Sequence, residues 1–216
     1  MNNPKIKRRE EIISCFHDGQ TIVIGGQAGA NLPYRLIECI VDSGAKDLTI
    51  YSIDSGELDR GIGRLIHAGA VAKMITTHIG TNPETAALLA EGKIEIEFNP
   101  MGSYIERLRC GGTGLGGVLT KTGLGTEVES RREIIRCNGE DYLLEPALRG
   151  DIAITRARRA DPLGNLAYRG TGTASHPIAA MAADLSIVEC DHFCDLGEIS
   201  PDEVRVPGMF IDMILI

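Results

Sequence analysis

Asp18-Gly19-Gln20-Thr21-Ile22-Val23-Ile24-Gly25-Gly26-Gln27-Ala28-Gly29-Ala30-Asn31-Leu32-Pro33 is the stretch whose reading decides the fold. Residues 21–24 favour a β-strand and run straight into a glycine-rich turn. An amphipathic helix is expected to open near Asn31 and Pro33. Strand, glycine turn and helix N-terminus in that order form an anion-binding corner, because free backbone N–H groups and the helix dipole both favour negative charge. Read alone, the turn is equally a tight strand-to-helix connection. Its glycine spacing is not that of the dinucleotide fingerprint, and it lacks the Gly-Lys-Ser/Thr ending of a P-loop.

The same rhythm continues outward. Leu36, Ile37, Ile40 and Val41 have helical spacing within 32–41, Ser43-Gly44 supplies the stop, and 48–52 reads as a second strand. Strand, helix, strand at this length implies a parallel crossover unit. Residues 5–17 read as a leading helix, and 54–69 as a loop carrying a short helix at 64–68. Strands are expected at 71–77 and 94–98, the second alternating as an edge, with helices at 84–91 and 104–109. The glycine-rich run from Gly111 to Gly117, with 120–125 behind it, reads as a long mobile loop. Asn138-Gly139 between two short β-favouring runs predicts a hairpin. Strands at 151–156, 185–189 and 210–216, with a helix at 178–183, complete the pattern. The expectation is one domain over 1–216: an open three-layer α/β/α fold, mostly parallel, carrying a small antiparallel appendage.

Composition narrows the function. The 216 residues are 43% hydrophobic, so a sizeable core is available, and without Trp it must be built mainly from Ile, Leu, Val and Ala. A net charge of −8 argues against general nucleic-acid binding. No apolar run is long enough to span a bilayer, and the start lacks the apolar core of a signal peptide. Six scattered cysteines fit reduced thiols in a cytoplasmic protein.

Few residues suggest chemistry. His78 lies at a strand end, where a polar role and a structural one are both open. Cys190-Asp191-His192-Phe193-Cys194 is half a zinc pattern without a second pair, so it reads as an exposed turn and no metal is expected. No Gly-x-Ser-x-Gly elbow is present. Asp54 and Glu57 follow the second strand, while Glu84 and Glu106 are read as offsetting helix N-termini. The residues describe a binding half without an attacking group.

Asp18-Gly19-x-x-Ile22-Val23-Ile24-Gly25-Gly26 with Pro33 behind it resembles the signature of the α subunits of family I coenzyme A transferases. His78-Ile79-Gly80-Thr81-Asn82-Pro83-Glu84-Thr85, Arg109-Cys110-Gly111-Gly112-Thr113-Gly114-Leu115-Gly116-Gly117, Leu144-Glu145 and Asp161-Pro162-Leu163-Gly164-Asn165-Leu166 are also similar to segments of those subunits. The likeness is strongest to the α subunit of bacterial acetate/acetoacetate (3-oxoacid) CoA-transferases.

The resemblance implies a CoA-transferase/NagB-like fold and ping-pong transfer of CoA from an acyl-CoA to a carboxylic acid. A glutamate in a Ser-Glu-Asn-Gly-like motif of a β subunit would attack the thioester. No such motif occurs in this chain, which implies an obligate partner in an α2β2 assembly. CoA enters as substrate, with no cofactor, nucleic acid or membrane. Gly25, Gly26, Gln27, Ala28, Gly29, Ala30 and Asn31 take the CoA-binding role. His78, Asn82, Met101, Gly102, Gly114 and Gly116 are the substrate-pocket candidates. Gln27, Asn31 and Met101 depart from the family pattern, which commonly has Phe, Gly and Gln there. Altered acyl specificity or a changed reaction is therefore expected. A CoA-thioester hydrolase or ring-cleaving enzyme of the same superfamily, and a non-catalytic metabolite-binding protein, are the alternatives.

Overall fold

The computed structural model of the protein describes residues 5–216. Its strands are β1 (Ile6–Lys7), β2 (Thr21–Ile24), β3 (Leu48–Tyr51), β4 (Val71–Thr76), β5 (Glu95–Phe98), β6 (Gly117–Thr120), β7 (Glu133–Cys137), β8 (Glu140–Pro146), β9 (Gly150–Ala160), β10 (Leu166–Ala167), β11 (Ala183–Phe193) and β12 (Met213–Leu215). Its helices are α1 (Arg9–Ile13), α2 (Tyr34–Ser43), α3 (Ile62–His67), α4 (Pro83–Ala90), α5 (Met101–Thr113) and α6 (His176–Met181).

The main sheet has the order β1-β12-β11-β9-β2-β3-β4-β5 and is parallel, except that β10 folds back antiparallel on β9. Strand alternation creates the layers. Ile22 and Ile24 face a core shared with Leu36, Ile37, Ile40 and Leu65 from α2 and α3. Val23 faces the other way, onto Tyr104 and Leu108 of α5 and Ala179 of α6. β6, β8 and β7 form the separate antiparallel sheet. Its hairpin turns at Asn138 and Gly139, both at positive φ (52° and 81°), as a two-residue type I′ connection requires.

The structure corrects the sequence reading in four places. The leading helix shrinks to α1, because Ile6 and Lys7 pair with Ile214 and Leu215 as an edge strand. The expected turn at 190–194 is the end of β11, with Cys190 and Cys194 buried. Glu106 is in the second turn of α5 bonded to Arg109, not at a helix N-terminus. The glycine run is not a mobile loop: Gly111 and Gly112 finish α5 and Gly117 opens β6.

The last correction has a packing cause. A Cβ on Gly111 would fall 1.9 Å from the Leu148 carbonyl oxygen, and one on Gly112 would fall 2.9 Å from the Met181 Cβ. These glycines let α5 seat directly on the segments that precede β9 and β11.

Candidate functional site

The carboxyl ends of the parallel strands gather the loops 25–31, 52–57, 77–82 and 99–100, the region where open α/β sheets place ligands. Loop 25–31 is a small turn closed on itself. Ala30 N–H donates to the Gln27 carbonyl at 2.8 Å, and Ala28 and Gly29 turn the chain at positive φ (48° and 72°). Tyr34 Oη donates to the Gly29 carbonyl at 2.7 Å.

Two buried polar groups hold this loop. Ala28 N–H donates to Asp54 Oδ2 at 2.6 Å, while Gly56 N–H takes Oδ1 at 2.8 Å. Gly26 N–H donates to Ser175 Oγ at 3.0 Å. The exposed residues left over are Gln27, Ala28 and Ala30. They line a cavity of about 270 Å³ whose opposite wall is Thr171, Ala174, Ser175 and His176.

His176 fixes the geometry beneath. Its Nδ1 accepts the Arg156 N–H at 3.3 Å, and its ring stacks on Tyr168 with centroids 5.8 Å apart. Burial pushes its imidazolium down to about 4, with the Arg156 charge acting in the same direction, so the ring is neutral at pH 7. No hydrogen bond joins Ser175 to His176 among the described residues, so this is not a nucleophile–base pair.

The anion corner expected at the start of α2 is already filled. Arg35 and Leu36 N–H donate to Glu189 Oε2 at 2.8 and 3.1 Å. Burial pushes the Glu189 carboxyl up, and the two amides and Arg156 oppose that shift. An internal carboxylate occupies the helix N-terminus, and only the exposed backbone of loop 25–31 faces outward.

The remaining candidates separate. His78 is half-buried at the end of β4, bridged to Asp54 and within 3.3 Å of Thr77 Oγ1. Asn82 is fully buried as the cap of α4. Its Oδ1 accepts the Glu84 and Thr85 amides and its Nδ2 donates to Ser55, and the side chain has no exposed surface to offer a substrate. Met101 and Gly102 line an apolar groove of about 450 Å³ between α5 and β6. Gly114 caps α5 in the left-handed region, and Gly116 accepts the Ala147 N–H. Thirteen residues of helix place Gly114 about 20 Å from Met101, at the amino edge of the sheet, so Gly114 and Gly116 belong to no common pocket with His78.

Sequence reasoning missed Ser175, His176 and the arginines at the far end of β9. The approach of His176 to Gly25 joins distant parts of the chain and leaves no local signal. Among the described residues no group of three or more His, Cys, Asp or Glu is arranged to hold a metal, and no helix is long and apolar enough to cross a membrane.

Residues 6–216 match the family model described as coenzyme A transferase. The chain is 43% identical over 212 residues to the alpha subunit of the acetate CoA-transferase of Escherichia coli, covering 98% of this chain and 96% of that one. It is 42% identical to the acetoacetyl-CoA:acetate/butyrate CoA transferase alpha subunit of Clostridium acetobutylicum, covering 99% and 98%. Among solved structures, the acyl-CoA transferase YdiF of Escherichia coli has the same fold with a TM-score of 0.90 at 22% identity, and this chain spans 47% of its length. Glutaconate coenzyme A-transferase of Acidaminococcus fermentans superposes with a TM-score of 0.86 at 20% identity, covering 98% of this chain and 75% of that one. The chain therefore belongs to the coenzyme A transferase family, among its α subunits.

Proposed function

We propose that this chain is the CoA-presenting half of a cytoplasmic short-chain CoA-transferase of the acetate/acetoacetate/butyrate type. It works with a β subunit, in an α2β2 assembly, that supplies the attacking glutamate. The observation that carries this reading is the lack of a free carboxylate beside loop 25–31. The cavity beside loop 25–31 has no carboxylate in its lining, and the nearby carboxylates are all engaged. Asp54 holds two amides, Glu57 pairs with Arg60, Glu189 caps α2 and Asp191 holds Arg156.

The reaction then runs as a relay. The partner's glutamate carboxylate attacks the thioester carbonyl of the acyl-CoA, and the C–S bond breaks to give an acyl–glutamyl anhydride and CoA thiolate. The thiolate attacks the glutamyl carbonyl, which releases the first carboxylate and leaves a glutamyl-CoA thioester. The acceptor carboxylate repeats the sequence in reverse. Each step exchanges activated acyl groups of similar energy, so no ATP is required. In this chain, Gln27, Ala28 and Ala30 present backbone and side-chain polar groups to the CoA thioester. The apolar groove at Met101 faces the acyl side, where a thioether cannot donate the hydrogen bonds a glutamine would.

The test is CoA exchange between acetoacetyl-CoA and acetate, measured on the chain alone and after co-expression with its partner. Exchange by the assembled pair and none by the isolated chain is the expected result. Net thioester hydrolysis without exchange would instead favour the hydrolase alternative.

A further inference from the structure

The pyrophosphate-bearing end of CoA needs positive charge, and the helix N-terminus expected to provide it is capped by Glu189. On the other side of Asn31 lies a cavity of about 170 Å³, lined by Asn31, Arg156, Arg158, Tyr168, Arg169 and Asp191. Three guanidinium groups around one small cavity stand out in a chain of net charge −8.

Their partners neutralise them only in part. Arg156 is held by Asp191 Oδ1 at 2.8 and 3.0 Å and approaches Glu189 Oε1 at 3.8 Å. Arg158 reaches Asp191 Oδ2 only at 3.7 Å. Arg169 has no ion-pair or hydrogen-bond partner among the described residues. Glu189 Oε2 is committed to the amides of α2. The lining carries three positive charges and the one negative charge of Asp191, with the Glu189 carboxylate behind Arg156, and it offers the planar donor forks that suit phosphate oxygens.

Position supports the same ligand. Residues 156 and 158 share one face of β9 by strand alternation, just past the end of β2 and still paired along β11. Residues lining this cavity touch residues lining the one beside loop 25–31: Asn31 Nδ2 lies 3.4 Å from Thr171 Oγ1, and Tyr168 stacks on His176. A charged cavity and a mostly uncharged one lie on either side of Asn31, as the nucleotide and pantetheine ends of CoA would require.

We propose that the cavity formed by Arg156, Arg158 and Arg169 is the phosphate subsite of the CoA site. Arg158 and Arg169 bind a phosphate group of the nucleotide end, and Arg156, pinned by Asp191, supplies the fixed charge behind them. This rests on the CoA-transferase reading above.

The experiment uses the assembled enzyme and three thioester substrates: acetoacetyl-CoA, its 3′-dephospho analogue and acetoacetyl-pantetheine. Arg158→Ala and Arg169→Ala should each raise KM for acetoacetyl-CoA roughly 10- to 100-fold, the size of a lost charge-assisted hydrogen bond, while kcat holds. KM for the phosphate-free pantetheine thioester should not move. A penalty that disappears with the dephospho analogue assigns the 3′-phosphate, and one that persists assigns the pyrophosphate; either supports the subsite. Unchanged KM for acetoacetyl-CoA, or an equal loss with the pantetheine thioester, overturns it. Equilibrium dialysis with CoA separates the two proposals. Binding weakened by the arginine variants in an assembly that does not transfer CoA overturns the reaction and keeps the subsite. Transfer indifferent to both arginines does the reverse.

Discussion

His176 occupies the space into which any side chain at residue 25 would project, since a Cβ there would fall 2.3 Å from Nδ1. Gly25 is thus dictated by a buried neutral imidazole rather than by a ligand. That imidazole also makes a pH prediction. Its folded pKa of about 4 lies below the ordinary value near 6.5, so the unfolded chain binds the proton more readily. Stability from this residue is therefore intact above about pH 6.5 and is lost as pH falls toward 4. At pH 4.5 the loss should reach about 2–3 kcal/mol. Urea unfolding of wild type and His176→Asn at pH 7 and 4.5 checks this: wild type should lose more on acidification, by about that difference. Equal losses would show that the ring does not stay neutral in the fold. Asp54 was legible as a carboxylate at a strand end, but not as the clamp between Ala28 and Gly56, because the Ala28 amide is brought to it from another loop.

The element that moved furthest from its sequence reading is α5. Glycine at 111, 112, 114, 116 and 117 has the composition of a flexible loop, yet the same residue type serves wherever backbones must touch. Only the contact with Leu148, well downstream in the chain, shows which applies. Two substitutions separate the cases. Gly111→Ala should destabilise by about 1–3 kcal/mol, because the added methyl meets a carbonyl that cannot move aside cheaply. Gly116→Ala has nothing within 4 Å and should change stability by less than about 0.5 kcal/mol. Chemical denaturation measures both, and equal effects would restore the mobile loop. The elements that sequence located well are those with local causes, such as β2 with its apolar alternation and the hairpin with Asn138-Gly139 at its tip. β9 and β11 were expected to end near 156 and 189. Their polar continuations were hidden because Arg156, Arg158 and Asp191 line a cavity where apolar residues would otherwise mark a strand.

At the scale of the whole molecule, the parallel sheet supports the proposed division of labour, in which this chain holds CoA and its partner attacks. Its carboxyl edge collects the loop held by Asp54 and Ser175, the neutral His176 and the arginine cavity. The carboxylates there are used as internal clamps. Joining the small antiparallel sheet to this body are Arg107 and Arg132. They bond Glu97 at 2.6 and 2.7 Å, and Arg132 bonds the buried Glu145 at 2.7 Å. Burial pushes the Glu97 carboxyl up, but the two arginines outweigh it and hold the group below its ordinary range. This cluster is structural too, so it supplies no nucleophile. The family and the missing attacking group could be read from ordered motifs along the chain, whereas what each carboxylate holds required the contacts. The central claim is that the reacting carboxylate belongs to a different chain. The assembled enzyme should be incubated with acetoacetyl-CoA, reduced with borohydride to trap the glutamyl-CoA thioester, and mapped by peptide mass spectrometry. The account predicts one reduced glutamate, on the partner subunit, with every Asp and Glu of this chain intact; a reduced carboxylate on this chain would contradict it.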